Sequence, residues 1–194
     1  NILPILIAIL SLGGMYAQGV NKLKKEILNY IEKKSDELIT MSDNIWHAAE
    51  VAFREEKSAE YLIEYAKQNG FVVDSDLAGM PTAFTATYGE GGPVIGIIGE
   101  FDALPGLSQT TAPYKNQLIE GGAGHGCGHN LFGTASLGAA VAIKELIEKG
   151  SLKGTVKYFG TPAEEKFFGK LWMIREGVFD NVDVVMDWHP ADKT

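Results

Sequence analysis

The chain has 194 residues, 45% of them hydrophobic and 22% charged, which is the composition of a folded domain and excludes a disordered or fibrous chain. Its formal charge of −8 at pH 7 argues against a nucleic-acid partner, because phosphate binding needs a concentrated basic face. The single cysteine excludes an internal disulfide.

The first element is an almost wholly apolar run, Ile2 to Leu12, broken by Pro4 and Ser11. It is short for a membrane span, which needs about 20 residues, and suits the core of a signal peptide. Ala17-Gln18-Gly19 supplies a small-x-small cleavage pattern. Residues 1–19 are therefore expected to be a leader and the protein to be exported, to the periplasm or beyond. The alternative is an apolar strand or anchor that belongs to the fold. The rest, residues 20–194, is expected to form one domain.

From Asn21 the apolar positions Leu23, Ile27, Ile31 and Leu38 recur at helical spacing, predicting a helix that continues through Ile45 and Trp46. Lys22, Lys24, Lys25, Lys33 and Lys34 lie on its other face, interleaved with acids, as on a solvated helix. Residues 58–68 read as a second helix, stopped by Asn69-Gly70. Residues 71–73 and 82–88 read as strands, and 94–99 is a continuous apolar run, the mark of a central buried strand. A long polar and glycine-rich stretch then leads to an apolar helix over 131–147, with Asn130 placed to cap it. Residues 155–159 predict a strand, 171–175 a helix and 182–186 a buried strand. Strands alternating with helices indicate an α/β fold, a layered sheet flanked by helices.

Polar clusters follow the apolar strands: Glu100-Phe101-Asp102, then Glu164-Glu165, then His189. Open α/β sheets bind ligands beyond the carboxyl ends of their strands, so these clusters and the loop Gly124-His125-Gly126-Cys127-Gly128-His129-Asn130 are expected to share one site. A thiolate and an imidazole flanking one glycine can make a metal site or an activated nucleophile. An exported protein would expose a free thiol to an oxidising compartment, which mildly favours holding Cys127 on a metal. Adjacent carboxylates in a dry pocket repel, and a cation removes that cost. The natural division is one glutamate on the metal and one on the water it activates. His189, at a strand end, is a candidate ligand, and His125 lines the site without touching metal. Asp102 either orients a ligand histidine from behind or caps the turn before Pro105. His47 reads as a partly buried helix residue.

Taken together, residues 99–109, 124–133, 162–165, 173–183 and 188–190 resemble, in that order, the M20 peptidase family, in its amidohydrolase branch and aminobenzoyl-glutamate subgroup. The resemblance implies a zinc-peptidase-like catalytic domain of which this chain is the N-terminal part. The lid and dimerisation domain and a last metal-binding histidine would lie past Thr194, leaving the fragment inactive alone. It implies two divalent ions, Mn2+ or Zn2+, with Cys127, His129, Glu165 and His189 as ligands and Glu164 as general base. The implied reaction is hydrolysis, by metal-activated water, of the amide bond of an N-acyl amino acid such as aminobenzoyl-glutamate, or of a short peptide. The implied partner is a second copy or a homologous subunit.

Three departures stand out. Asn130 replaces the aspartate common in the branch, and Ala49 replaces the proline of the family's His-x-x-Pro-Glu segment at Trp46–Glu50. Lys166-Phe167-Phe168-Gly169 is bulkier than the usual glycines, which bears on substrate choice. Two other readings remain. One is an inactive metal-binding subunit that scaffolds a homologous partner. The other is a cysteine hydrolase with Cys127 as nucleophile and His129 or His125 as base, which leaves Glu164, Glu165 and His189 without a role.

Overall fold

The computed structural model describes residues 19–191; the expected leader, apart from Gly19, lies outside them. Among the described residues no helix is long and apolar enough to cross a membrane.

The first helical pattern is two helices, not one. α1 (residues 19–33) and α2 (Ser35–Ala48) meet at Lys34, where the backbone leaves helical values at φ −100° and ψ 3°. No glycine or proline marks the joint, and the apolar spacing runs through it, so periodicity alone could not find the break. α2 ends on Ala49, in the left-handed region at φ 44°. Proline locks φ near −65° and could not adopt that conformation, so the missing proline goes with a different backbone here. The Glu50 carboxylate accepts the N–H groups of Lys57 (3.1 Å) and Ser58 (2.9 Å), satisfying the open first turn of α3 (Glu56–Gln68) from outside the helix.

Five strands form one sheet: β1 (Val72–Ser75), β2 (Phe84–Glu90), β3 (Val94–Gly99), β4 (Gly154–Gly160) and β5 (Val184–Met186). Their order is β1-β2-β4-β3-β5, with β1, β2 and β4 antiparallel in turn and β3 parallel to both β4 and β5. α4 (His129–Glu148) bridges β3 and β4, the crossover that parallel strands require. The carboxyl ends of β3, β4 and β5 therefore lie along one edge. α5 (Glu164–Phe167) and α6 (Gly169–Arg175) follow β4.

The central strands β2, β3 and β4 are buried on both faces because apolar side chains leave them on either side. Phe84, Ala86, Ile97, Val156 and Tyr158 pack against Ile45, Leu62 and Leu137 of α2, α3 and α4. Ile98 and Phe159 face the other way, onto Phe132, Met80 and Met173. β3 approaches Tyr158 so closely that a Cβ at Gly99 would stand 2.7 Å from its ring, which leaves room for glycine alone.

The final strand departs from expectation. It covers three residues, and Val184, Val185 and Met186 are about half exposed instead of buried. β5 is at the sheet edge, paired only to β3, and the described residues cover its side chains only in part. An apolar run reports a preference for burial, and a place at the sheet edge meets it only in part.

Candidate metal centre

α4 begins two residues earlier than the apolar pattern predicts, and its cap is Gly128, not Asn130. Gly128 sits at φ 78°, and Pro190 lies within 3.3 Å of where a Cβ would stand, so turn and close approach both require glycine. Asn130 falls inside the first turn, where its side-chain amide donates to Ser42 Oγ at 3.1 Å. The turn makes His129 the first helical residue and aims it down into the sheet edge, fully buried.

His129 Nδ1 donates to Asp102 Oδ1 at 2.8 Å, and the other Asp102 oxygen accepts the backbone N–H of Glu165 at 3.0 Å. Asp102 thus locks both the imidazole and the start of α5, a stronger tie than a turn cap. The bond at Nδ1 leaves Nε2 facing inward. Glu100 Oε2 stands 3.0 Å from that nitrogen and Glu164 Oε2 4.0 Å from it.

His189 is oriented in the same way. Its Nδ1 donates to the Pro190 carbonyl at 2.9 Å, turning Nε2 to within 3.3 Å of Cys127 Sγ. Phe132 packs edge-on to both Trp188 and His189, and Trp188 Nε1 donates to Ser136 Oγ at 2.9 Å, tying this loop to α4. Cys127, His129 and His189 present ligand atoms all within 4.8 Å of one another, and so do Glu100, His129 and Glu164.

The electrostatics favour a cation. Burial works against a protonated His129, but the hydrogen bond and charge of Asp102, with Cys127 and Glu165, outweigh it and raise its pKa. Burial, together with Glu165, pushes the Cys127 thiol up. The cluster thus retains protons where a positive ion would serve equally well. Among the described residues Glu165 Oε1 is buried with no hydrogen-bond partner, and His129 Nε2 makes no well-directed hydrogen bond despite the 3.0 Å approach of Glu100 Oε2. Imidazole nitrogens and carboxylate oxygens gathered beside a thiol are the donor set of a transition-metal site, so the residues fit such an ion.

His125 points elsewhere. Its Nε2 donates to the Ile45 carbonyl at 3.1 Å, and burial lowers its pKa to about 4, so the ring is neutral. His47 is exposed, not partly buried, and its Nδ1 donates to Asp43 within α2 at 2.6 Å. Phe167 and Phe168, the bulky replacements after the glutamates, are exposed, and Phe167 stacks on Phe53 at 5.0 Å.

Three charged residues at or below the site went unassigned in the sequence. Glu100 is buried and paired through Oε1 with Lys170 Nζ, and burial lowers the pKa of that lysine. Glu55 is wholly buried, although it stands in the charged run Arg54-Glu55-Glu56, which looks like surface. Burial, with the charge of Asp102 adding to it, pushes the Glu55 carboxyl up to about 7 against the backbone hydrogen bonds it accepts. From about pH 4.5 to 7 the folded protein therefore keeps a proton that the unfolded chain has released. Stability should fall as pH rises through that window, by up to about 3 kcal/mol. Urea unfolding of the complete protein at pH 5 and pH 8 should show this fall, and Glu55→Gln should flatten it.

Comparison with known proteins identifies the family. The family model described as peptidase family M20/M25/M40 matches residues 96–194. The chain is 44% identical over 161 residues to a p-aminobenzoyl-glutamate hydrolase subunit of Escherichia coli (strain K12), covering 82% of this chain and 34% of that protein. It is 30% identical over 194 residues to the Xaa-Arg dipeptidase of Mus musculus, covering 93% and 41%. Among solved structures, a dinuclear metal binding peptidase from the M20 family of Bacillus subtilis superposes with a TM-score of 0.71 at 26% identity, over 82% of this chain and 44% of that one. The chain thus spans between a third and a half of the length of these relatives. It belongs to peptidase family M20/M25/M40.

Proposed function

We propose that this chain carries the ion-binding and proton-transfer residues of a metal-dependent amidohydrolase. One observation supports the reading most: a thiol and two imidazoles with Nε2 turned inward converge in one group, Glu100 and Glu164 join His129 in a second, and both lie at the ends of three parallel strands, with Glu165 Oε1 buried without a hydrogen-bond partner among the described residues. Cys127, His129, Glu165 and His189 are the ligands in this reading, and Asp102 orients His129. The dinuclear relative supports two divalent ions. Manganese and zinc both suit the donors, and one thiolate leans toward zinc.

Such ions, when bound, acidify water and polarise an amide carbonyl. Glu164 does the proton work. Its side chain is one-third exposed at the mouth of the site, so it can take a proton from the attacking water and pass it to the departing nitrogen. His125, neutral and bonded to α2, supports the wall of the loop. The substrate class is an N-acyl amino acid of the aminobenzoyl-glutamate kind, or a short peptide, in keeping with the hydrolase subunit and the dipeptidase among the relatives. Because the first of these relatives is one subunit of its hydrolase, a homologous partner is the assembly we favour over a second copy. Export to the periplasm or beyond remains our expectation from the leader-like residues 1–19.

One contact favours the alternative of a cysteine nucleophile, the 3.3 Å approach of Cys127 Sγ to His189 Nε2. An activated thiol has a lowered pKa, whereas that of Cys127 is raised. Exhaustive chelation of the complete protein decides between them. Amide hydrolysis should vanish and return with Mn2+ or Zn2+; activity that survives chelation would sink the metal reading.

A further inference from the structure

The turn that presents Glu164 is strained. Ala163 lies in the left-handed region at φ 58° and ψ 35°, which a residue with a Cβ adopts only when its surroundings hold it there. Two buried carboxyl groups hold it. Glu55 Oε1 accepts the N–H of Ala163 at 2.8 Å from below, and Asp102 Oδ2 accepts the N–H of Glu165 at 3.0 Å from the side. Glu164 stands between the two gripped amides. The second Glu55 oxygen accepts from Thr82 Oγ1 at 3.2 Å, so the carboxyl has no freedom to turn away. Glu55, Ala163 and Thr161 are fully buried, and water cannot substitute for the grip.

We propose that Glu55 is a positioning residue: by holding the Ala163 amide it fixes the direction in which Glu164 and Glu165 leave the end of β4. This builds on the reading of Glu164 as the proton-transfer group. Glu55 lies more than a hundred residues from that pair and grips the turn by the Ala163 amide, so it acts through the backbone. What the turn needs is an acceptor at one point, and a charge is not required. The neutral acid accepts through its carbonyl oxygen while its hydroxyl turns to Thr82. Glutamine has the same shape and the same pattern, with its NH2 donating to Thr82 Oγ1.

Three variants of the complete, metal-loaded protein test this. Glu55→Met keeps the volume and removes the acceptor. Glu55→Asp keeps a buried carboxyl and withdraws it by one methylene, which covers the case in which the methionine variant does not fold. In each folded variant kcat should drop between about ten- and a hundredfold, the cost of misplacing a reacting group by roughly 1 Å, with KM within about twofold. Deuterium uptake across residues 161–165 should rise. Glu55→Gln should restore kcat to within about threefold and restore slow exchange. A folded Met or Asp variant with wild-type kcat and slow exchange would overturn the proposal, and so would a glutamine variant as impaired as the others. Glu164→Gln, measured in parallel, keeps the two claims apart. If it retains turnover, the catalytic reading fails, and exchange at 161–165 alone decides the role of Glu55.

Discussion

Glu164→Gln in the complete protein should lower kcat by about a hundred- to ten-thousandfold while leaving bound metal unchanged. The amide keeps the size and hydrogen-bonding reach of the carboxylate but cannot accept a proton at neutral pH. The side chain is partly exposed and stands 4.0 Å from His129 Nε2, too far for a strong hydrogen bond, so folding should be unaffected. Metal content measured beside turnover separates the readings. An enzyme loses turnover and keeps its ions, whereas an inactive scaffolding subunit is indifferent to the change.

The second large effect is expected at His129. Replacing it by alanine removes the one imidazole shared by both groups of converging donors. It also deprives Asp102, a fully buried carboxylate, of its charged partner, while Glu100 keeps only Lys170. At least one ion per protein should be lost, and turnover should fall by a factor on the order of a thousand or more, matching the several kcal/mol a metal contributes to the barrier. Stability should fall as well, because a buried charge that loses its partner is strongly destabilising, by about 3 to 5 kcal/mol. Metal analysis and denaturant titration of the variant read both consequences. Retention of both ions by a folded His129→Ala protein would remove His129 from the ligand set.

Much of the fold was legible because the sequence pattern and local physics point the same way. The run Val94–Gly99 is apolar throughout and bounded by a Gly-Gly-Pro turn and by Glu100, so its limits as a strand follow directly. The sharing of one edge by Glu100, Asp102, Glu164, Glu165 and His189 follows from placing polar clusters after parallel strands. What was hidden depends on tertiary placement. Nothing local to Lys34 announces the break between α1 and α2, and nothing local to Val184 says that β5 lies outermost. Asn130 has the chemistry of a cap, yet Gly128 takes that position because Pro190, some 60 residues later, presses against it. Glu55 sits in a charged run, and only the fold brings it beneath Ala163. Glu100 and Lys170 are likewise partners only in space, so their pairing has no signature in either segment.

The family places this chain among hydrolases, and the arrangement at the sheet edge explains how its residues could serve that chemistry. Asp102 is the hub, since one carboxylate orients His129 and anchors the amide of Glu165. Glu55 supports the same turn from the other side. The central claim is that Cys127, His129, Glu165 and His189 hold divalent metal. The most direct measurement is anomalous X-ray diffraction from crystals of the complete protein loaded with Mn2+ or Zn2+. The account predicts anomalous peaks within about 2.0 to 2.3 Å of Cys127 Sγ, the two Nε2 atoms and a Glu165 oxygen. Peaks elsewhere, with this cluster empty in a loaded and active protein, would contradict it.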